Sequence, residues 1–168
     1  ESFKYYELGS RKGDPFSMYK CAVMLEKGIG TNKNEEESVK YYKQSADKGF
    51  KDSMYHYAYM CENGIGTLVN KEEAIKYYKL GADNGEKNSL YKYACMIYEG
   101  TGTKENKEEA LKYFKKSADK GELKSIYQYA YMCENGIGTS VDMNESCKYY
   151  KLAADKGDMN SILKYAYM

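Results

Sequence analysis

Along the chain, apolar and small residues recur at the spacing of one helix face. Ser53, Tyr57, Ala58 and Cys61 fall at i, i+4, i+5 and i+8, where a strand would show strict alternation. Ala74, Tyr78 and Ala82 form a second stripe at i, i+4 and i+8, with Ile75 and Tyr77 alongside. Two consecutive helices are therefore predicted, and in the first copy of the pattern they run roughly over Asp14–Lys27 and Glu35–Lys48. The pattern is periodic. Gly13, Gly49, Gly85, Gly121 and Gly157 stand 36 residues apart, as do Gly28, Gly64, Gly100 and Gly136. Ser17, Ser53, Ser89, Ser125 and Ser161 keep the same step, and so do Ala22, Ala58, Ala94, Ala130 and Ala166. Four full units are read at 13–48, 49–84, 85–120 and 121–156 of a single array. Residues 1–12 read as the tail of a second helix, with Tyr5 and Tyr6 matching Tyr41 and Tyr42, and 157–168 as a lone first helix. On this reading the chain is part of a longer array.

The predicted helix ends carry their own chemistry. Asn34, Asn70, Asn106 and Asp142 precede the second helices, and Glu37, Glu73, Glu109 and Glu145 follow three residues later. That spacing predicts a capping box, with the Asx side chain accepting from an orphan N–H and the Glu reaching back to the cap. Gly49, Gly85 and Gly121 are expected to end one helix in the left-handed region and admit the next at once. Gly64 is expected to do the same at the other connection, with Ile65 against Met60; Ile29 with Met24 and Ile137 with Met132 repeat it, and Thr101 with Met96 is the weak copy.

Composition narrows the function classes. Apolar residues make up 42% and charged residues 30%, a globular balance, and 26 basic against 25 acidic residues leave a net +1. Such a balance argues against a dedicated nucleic-acid binder. No apolar run approaches the ~20 residues of a membrane span. With one histidine, His56, most histidine-based catalysis and metal chemistry is improbable, and neither cofactor nor metal is expected. The five cysteines, Cys21, Cys61, Cys95, Cys133 and Cys147, occupy four register positions. A disulfide framework would repeat its offsets, so reduced thiols and a cytoplasmic or nuclear location are expected.

The segments from Tyr57 to Gly66 (YAYMCENGIG) and from Glu73 to Ala82 (EAIKYYKLGA) resemble the Sel1-like repeat family, relatives of the tetratricopeptide repeats. The latter run about 34 residues and lack the G-x-G loop, which makes them the second choice. Ala58, Ala94 and Ala130 replace a frequent Gly of the family, while Tyr41, Tyr77, Tyr113 and Tyr149 replace its usual Trp. The resemblance implies an all-α, right-handed α/α solenoid of antiparallel helix pairs. It also implies a non-enzymatic adaptor or scaffold, with a protein or peptide partner on a concave face lined by the first helices.

Candidate binding residues then lie opposite the buried stripe of each first helix. They are Tyr19, Tyr55, His56, Tyr59, Tyr91, Lys92, Tyr127, Gln128, Tyr131 and Tyr167. Tyrosine offers a large apolar face and a hydroxyl at low entropic cost, which suits recurrent recognition. The competing reading packs the Tyr19/Tyr55/Tyr91/Tyr127 column between helices. His56 has no partner at orienting distance along its helix and reads as an exposed groove side chain. Ser17–Lys20, Ser89–Lys92 and Ser161–Lys164 form Ser-x-x-Lys motifs, and resemblance to cysteine-rich Sel1-like proteins raises a Ser-dependent β-lactam-recognising enzyme as an alternative. The companion motifs of such enzymes are missing and the serines sit at a helix-packing register. A third possibility is a structural spacer attached to a catalytic or membrane domain. The G-x-G loops join helix to helix, so backbone dihedrals rather than phosphate binding account for their glycines. Lys40, Lys43, Lys76, Lys79, Lys112, Lys115, Lys148 and Lys151 form a basic stripe on a solvated face, with Glu36, Glu72 and Glu108 expected to pair at i, i+4 with the first lysine of each pair, Lys40, Lys76 and Lys112. Bare end faces predict end-to-end self-association.

Overall fold

Backbone capping sets where each helix starts and stops in the computed structural model, which describes all residues from Glu1 to Met168. Ten helices follow in order and no strand occurs. They are α1 (Ser2–Arg11), α2 (Pro15–Lys27), α3 (Glu35–Asp47), α4 (Lys51–Asn63) and α5 (Lys71–Asp83). Then come α6 (Lys87–Glu99), α7 (Lys107–Asp119), α8 (Leu123–Asn135), α9 (Met143–Asp155) and α10 (Met159–Ala166).

The Asx caps form as the spacing predicts. Asn34, Asn70, Asn106 and Asp142 accept from the backbone N–H of Glu37, Glu73, Glu109 and Glu145 at 2.9–3.1 Å. The reciprocal half of the box is different. Each cap's own N–H donates to the preceding helix instead, from Asn34, Asn70, Asn106 and Asp142 to the carbonyls of Leu25, Cys61, Ile97 and Cys133 at 2.8–2.9 Å. The connection itself therefore satisfies that donor, and Glu73 and Glu145 are released for contacts elsewhere. Gly28, Gly64 and Gly136 close α2, α4 and α8 in the left-handed region, and the N–H of Ile29, Ile65 and Ile137 bonds the carbonyl of Met24, Met60 and Met132. Gly49, at φ +88°, ends the second-helix turn and lets α4 begin two residues later.

The packing groups into two compact units, Glu1–Ser89 and Leu90–Met168. In the first, α1 to α5 pack each on the next in sequence; in the second, α7 to α10 do the same. Both stripes read from the sequence are buried, Ser53, Tyr57, Ala58 and Cys61 on α4 and Ala74, Ile75, Tyr77, Tyr78 and Ala82 on α5.

A fully buried ring needs a partner for its hydroxyl. Tyr42, Tyr78 and Tyr150 are each 0% exposed and donate at 2.7 Å to Glu26, Glu62 and Glu134 on the first helix of their own pair. Tyr57, Tyr93 and Tyr129 meet Tyr77, Tyr113 and Tyr149 edge to face at 4.6–4.7 Å. Small residues set the helix spacing. Ser53 donates to Ser45 and Ser125 to Ser117 across the contact, at 2.7 and 2.8 Å. At the alternate contacts the partner is Gly9 or Gly81, where an added Cβ would fall 2.3 Å from the hydroxyl of Ser17 or Ser89.

Within the basic stripe, Lys43 and Lys115, which have no acidic residue four positions before them, reach across repeats. Lys43 of α3 bonds Glu73 of α5 at 3.0 Å, and Lys115 of α7 bonds Glu145 of α9 at 3.1 Å. Tyr57 and Tyr129 donate to the same two glutamates at 3.3 Å. These are the glutamates freed from the capping box, and they stitch successive repeats together while also meeting Lys76 and Lys148 of their own helices at 3.9 and 3.6 Å.

Candidate functional site

Each first helix turns one face to its second helix and leaves the opposite face with the residues singled out from the sequence. In the first unit Tyr19 and Tyr55 are half-buried, their rings 6.0 and 5.8 Å from those of Tyr42 and Tyr78. In the second, Tyr91 and Tyr127 rest in the same way on Phe114 and Tyr150, at 6.3 and 5.6 Å. This column is thus anchored on the core and only partly exposed. Tyr59 is more open, 39% exposed, and stacks along Tyr55 at 6.3 Å. Tyr131 is half-buried at the matching position, while Tyr167 stands 89% exposed just past the end of α10. Lys92 and Gln128 are half-buried beside them.

His56 departs from its expected setting as an exposed groove side chain. It is half-buried, with its ring stacked on Tyr42 at 5.0 Å and 8°, and Tyr19 and Tyr55 stand 5.9 and 5.6 Å away. A flat imidazole fits between tyrosines of successive repeats, which a spacing argument along one helix does not reveal. Burial holds its pKa below the ordinary 6.5, opposed in part by the carboxylates of Glu26, Asp52 and Glu86, with Lys27 adding slightly to the depression. In acid the unfolded chain takes up this proton before the native one does. Stability is therefore full above pH 6.5 and declines as pH falls through 6.5 toward the native pKa. Because His56 is the single histidine, its proton NMR titration is directly readable. The expected midpoint lies below 6.5, and a midpoint at or above 6.5 would mean the ring is not packed as described.

The serine motifs lie inside the helix contacts. Ser17, Ser89 and Ser161 are all buried; Ser17 and Ser161 donate to the cap carboxylates of Asp14 and Asp158, and Ser89 faces the backbone at Gly81. The motif lysines point elsewhere, Lys164 to Glu134 at 2.9 Å and Lys20 over the rings of Phe16 and Tyr19. An acyl donor has no route to such a hydroxyl without separating two helices. The five cysteines stand as free thiols, with Cys21, Cys61 and Cys133 buried, and burial pushes Cys21 up to about 11. No cluster of His, Cys, Asp and Glu is arranged to hold a metal ion, and no helix is long and apolar enough to cross a membrane.

Two residues missed from the sequence also belong to this site, Tyr98 half-buried and Phe114 buried against Tyr91. Tyr98 stands at the register position of Glu26, Glu62 and Glu134, and Phe114 at that of Tyr42, Tyr78 and Tyr150. Their signal was a joint departure from the repeat in the third copy.

Tandem antiparallel helix pairs with a G-x-G connection, and an aromatic face on the first helix of each pair, define a helical-repeat protein. The family model described as "Sel1 repeat" matches residues 1–14, 15–50, 51–86, 87–122 and 123–158, and the chain belongs to that family. Sel1 repeats commonly serve as protein-interaction scaffolds. Among solved structures, the chain superposes with a TM-score of 0.88 on a Sel1 repeat protein from Oxalobacter formigenes, at 26% identity over 98% of this chain and 70% of that one. It matches a protective antigen of uropathogenic Escherichia coli strains displaying an SLR fold, with a TM-score of 0.93 and 24% identity. That match covers 98% of this chain but only 35% of the antigen, so the chain spans about a third of its length. Helicobacter pylori cysteine rich protein B is more distant, with a TM-score of 0.60 and 15% identity over 77% of this chain and 93% of that one. The curated proteins contain no match.

Proposed function

We propose that the chain is a non-enzymatic interaction scaffold that takes a peptide segment or protein partner on the outward face of its first helices. The observation that carries this reading is the state of the tyrosines there. Tyr19, Tyr55, Tyr91 and Tyr127 each rest on a buried ring of the second helix and remain partly exposed. Side chains already held in place lose little rotamer entropy on binding, so more of the contact energy appears as affinity. Tyr59, Tyr131 and Tyr167 add apolar surface beside that column, while His56, Lys92 and Gln128 vary from copy to copy and supply specificity.

The test replaces Tyr59 and Tyr131 with alanine and quantifies partner capture from a native lysate by mass spectrometry. Each ring is expected to contribute about 2 kcal/mol if it acts as a hot spot, so capture should fall by roughly tenfold or more while helicity and melting stay unchanged. Capture at the level of the parent chain would remove this face as the binding surface.

A further inference from the structure

The third copy of the repeat departs from the others at three positions that meet in space. Elsewhere the first helix carries a glutamate, Glu26, Glu62 or Glu134, that accepts from the buried tyrosine of its partner helix at 2.7 Å. In the third copy both members change at once, to Tyr98 and Phe114, and the hydrogen bond becomes an edge-to-face contact at 6.2 Å and 71°. Cys95 then stands where the second and fourth copies have Tyr59 and Tyr131, which removes a ring from the surface. The outcome is a pocket of about 360 Å³ within the second unit, walled by Tyr91, Tyr98, Phe114 and Tyr127.

The chemistry of the walls selects an occupant. The four aromatic residues share the lining with two acidic residues, Glu99 and Asp158, one basic residue, Lys124, and the neutral amides Gln128 and Asn160. Asp158 spends only Oδ2 on capping α10, toward Ser161, so Oδ1 can still accept. The rings already draw the chain's own cations, with Lys124 Nζ 5.9 Å from the centre of Tyr91 and Lys107 Nζ 5.6 Å from that of Tyr98. An acidic group would be repelled here, and an aliphatic one would desolvate carboxylates without pairing them. A planar guanidinium answers both features, stacking on a ring and bonding a carboxylate with its edge.

We propose that this pocket receives an arginine side chain of a partner polypeptide, its guanidinium between the tyrosine rings and the Glu99 and Asp158 carboxylates. The proposal rests on the reading of the first-helix face as a protein-binding surface, and adds the residue type recognised at one point on it.

The experiment titrates the full chain with N-acetyl-arginine methylamide, followed by backbone amide NMR, beside the lysine, norleucine, phenylalanine and glutamate analogues. The arginine probe is expected to bind weakly, with Kd on the order of millimolar, and to shift the amides of Tyr91, Cys95, Tyr98 and Tyr127. Lysine should follow, with the other three trailing. Cys95→Tyr refills the pocket, and Tyr98→Leu keeps apolar bulk while removing a ring; each should weaken the arginine probe by about tenfold. Lys124→Ala removes the competing cation and should strengthen it by about two- to fivefold. Norleucine or phenylalanine binding as well as arginine would make this an apolar side-chain pocket and overturn the proposal. So would an arginine response unchanged in Cys95→Tyr. If both wall variants misfold, probe selectivity and the Lys124→Ala effect decide the matter on the intact chain. Loss of capture in the Tyr59/Tyr131 variant without any arginine response would sink this pocket alone. An arginine response with undiminished capture would instead sink the wider surface.

Discussion

Replacing Gly66 with alanine should destabilise the chain by about 3 kcal/mol or more in urea unfolding, whereas Gly49→Ala should cost only about 1–2 kcal/mol. Both residues have positive φ, +64° and +88°, so both variants incur the left-handed strain of a Cβ. Only one also meets a wall. A Cβ on Gly66 would fall 2.2 Å from the carbonyl oxygen of Glu35, 2.4 Å from its carbon and 2.8 Å from the nitrogen of Glu36. These are backbone atoms at the first turn of α3, and no side chain can swing aside to relieve them. A Cβ on Gly49 meets nothing within 4 Å. In the second unit Gly138 repeats the clash against Lys107, at 2.4 Å from its carbonyl oxygen, and its alanine variant should match Gly66→Ala. Equal losses at Gly49 and Gly66 would show that dihedral strain alone sets the cost and that the loop does not press on the neighbouring helix.

Tyr78→Ala should lose about 3–5 kcal/mol, the scale of emptying an aromatic site in a packed core. Tyr78 is 0% exposed, and its ring lies 5.8 Å from that of Tyr55. Tyr78→Phe keeps the ring and removes the hydrogen bond to Glu62, so its cost should be about 1.5–3 kcal/mol, the range for a bond to a charged acceptor. The chain contains its own comparison at Phe114, where the ring survives without a hydroxyl because Tyr98 has replaced the glutamate. Denaturant melts of the two variants separate ring from hydroxyl. Similar losses in both would mean that the hydroxyl, and not the volume of the ring, governs this site.

Much of the fold was legible from residue order, because helices are stabilised by interactions that recur within a few residues. The stripe Ser53, Tyr57, Ala58 and Cys61 is buried as its spacing predicts, and α2 and α3 match the ranges read for them to within a residue. Asn34 and Asn70 cap the helices that follow them. The aromatic column on the first helices was also visible, as was the choice between core and surface that it posed. Its rings turn out to be both, seated on a second-helix ring and half-buried.

The remainder depends on which copies touch. His56 reads as exposed along its own helix, yet Tyr42 from the preceding repeat covers it. Lys43 and Lys115 find glutamates 30 residues away, because packing brings the C-terminal half of one second helix beside the first turn of the next. Gly66 is required by a helix 30 residues earlier as much as by its own dihedral.

The amino-acid order alone, then, settled helix against strand and the ends of each helix, since these are decided by neighbours within about one or two turns, and it showed the period of the repeat by plain recurrence. Which rings are covered, which charges pair and where the third copy opens a pocket were settled by packing, since those outcomes depend on distances between residues remote in the chain. A change such as Glu to Tyr at position 98 has no meaning until Phe114 and Cys95 are brought beside it.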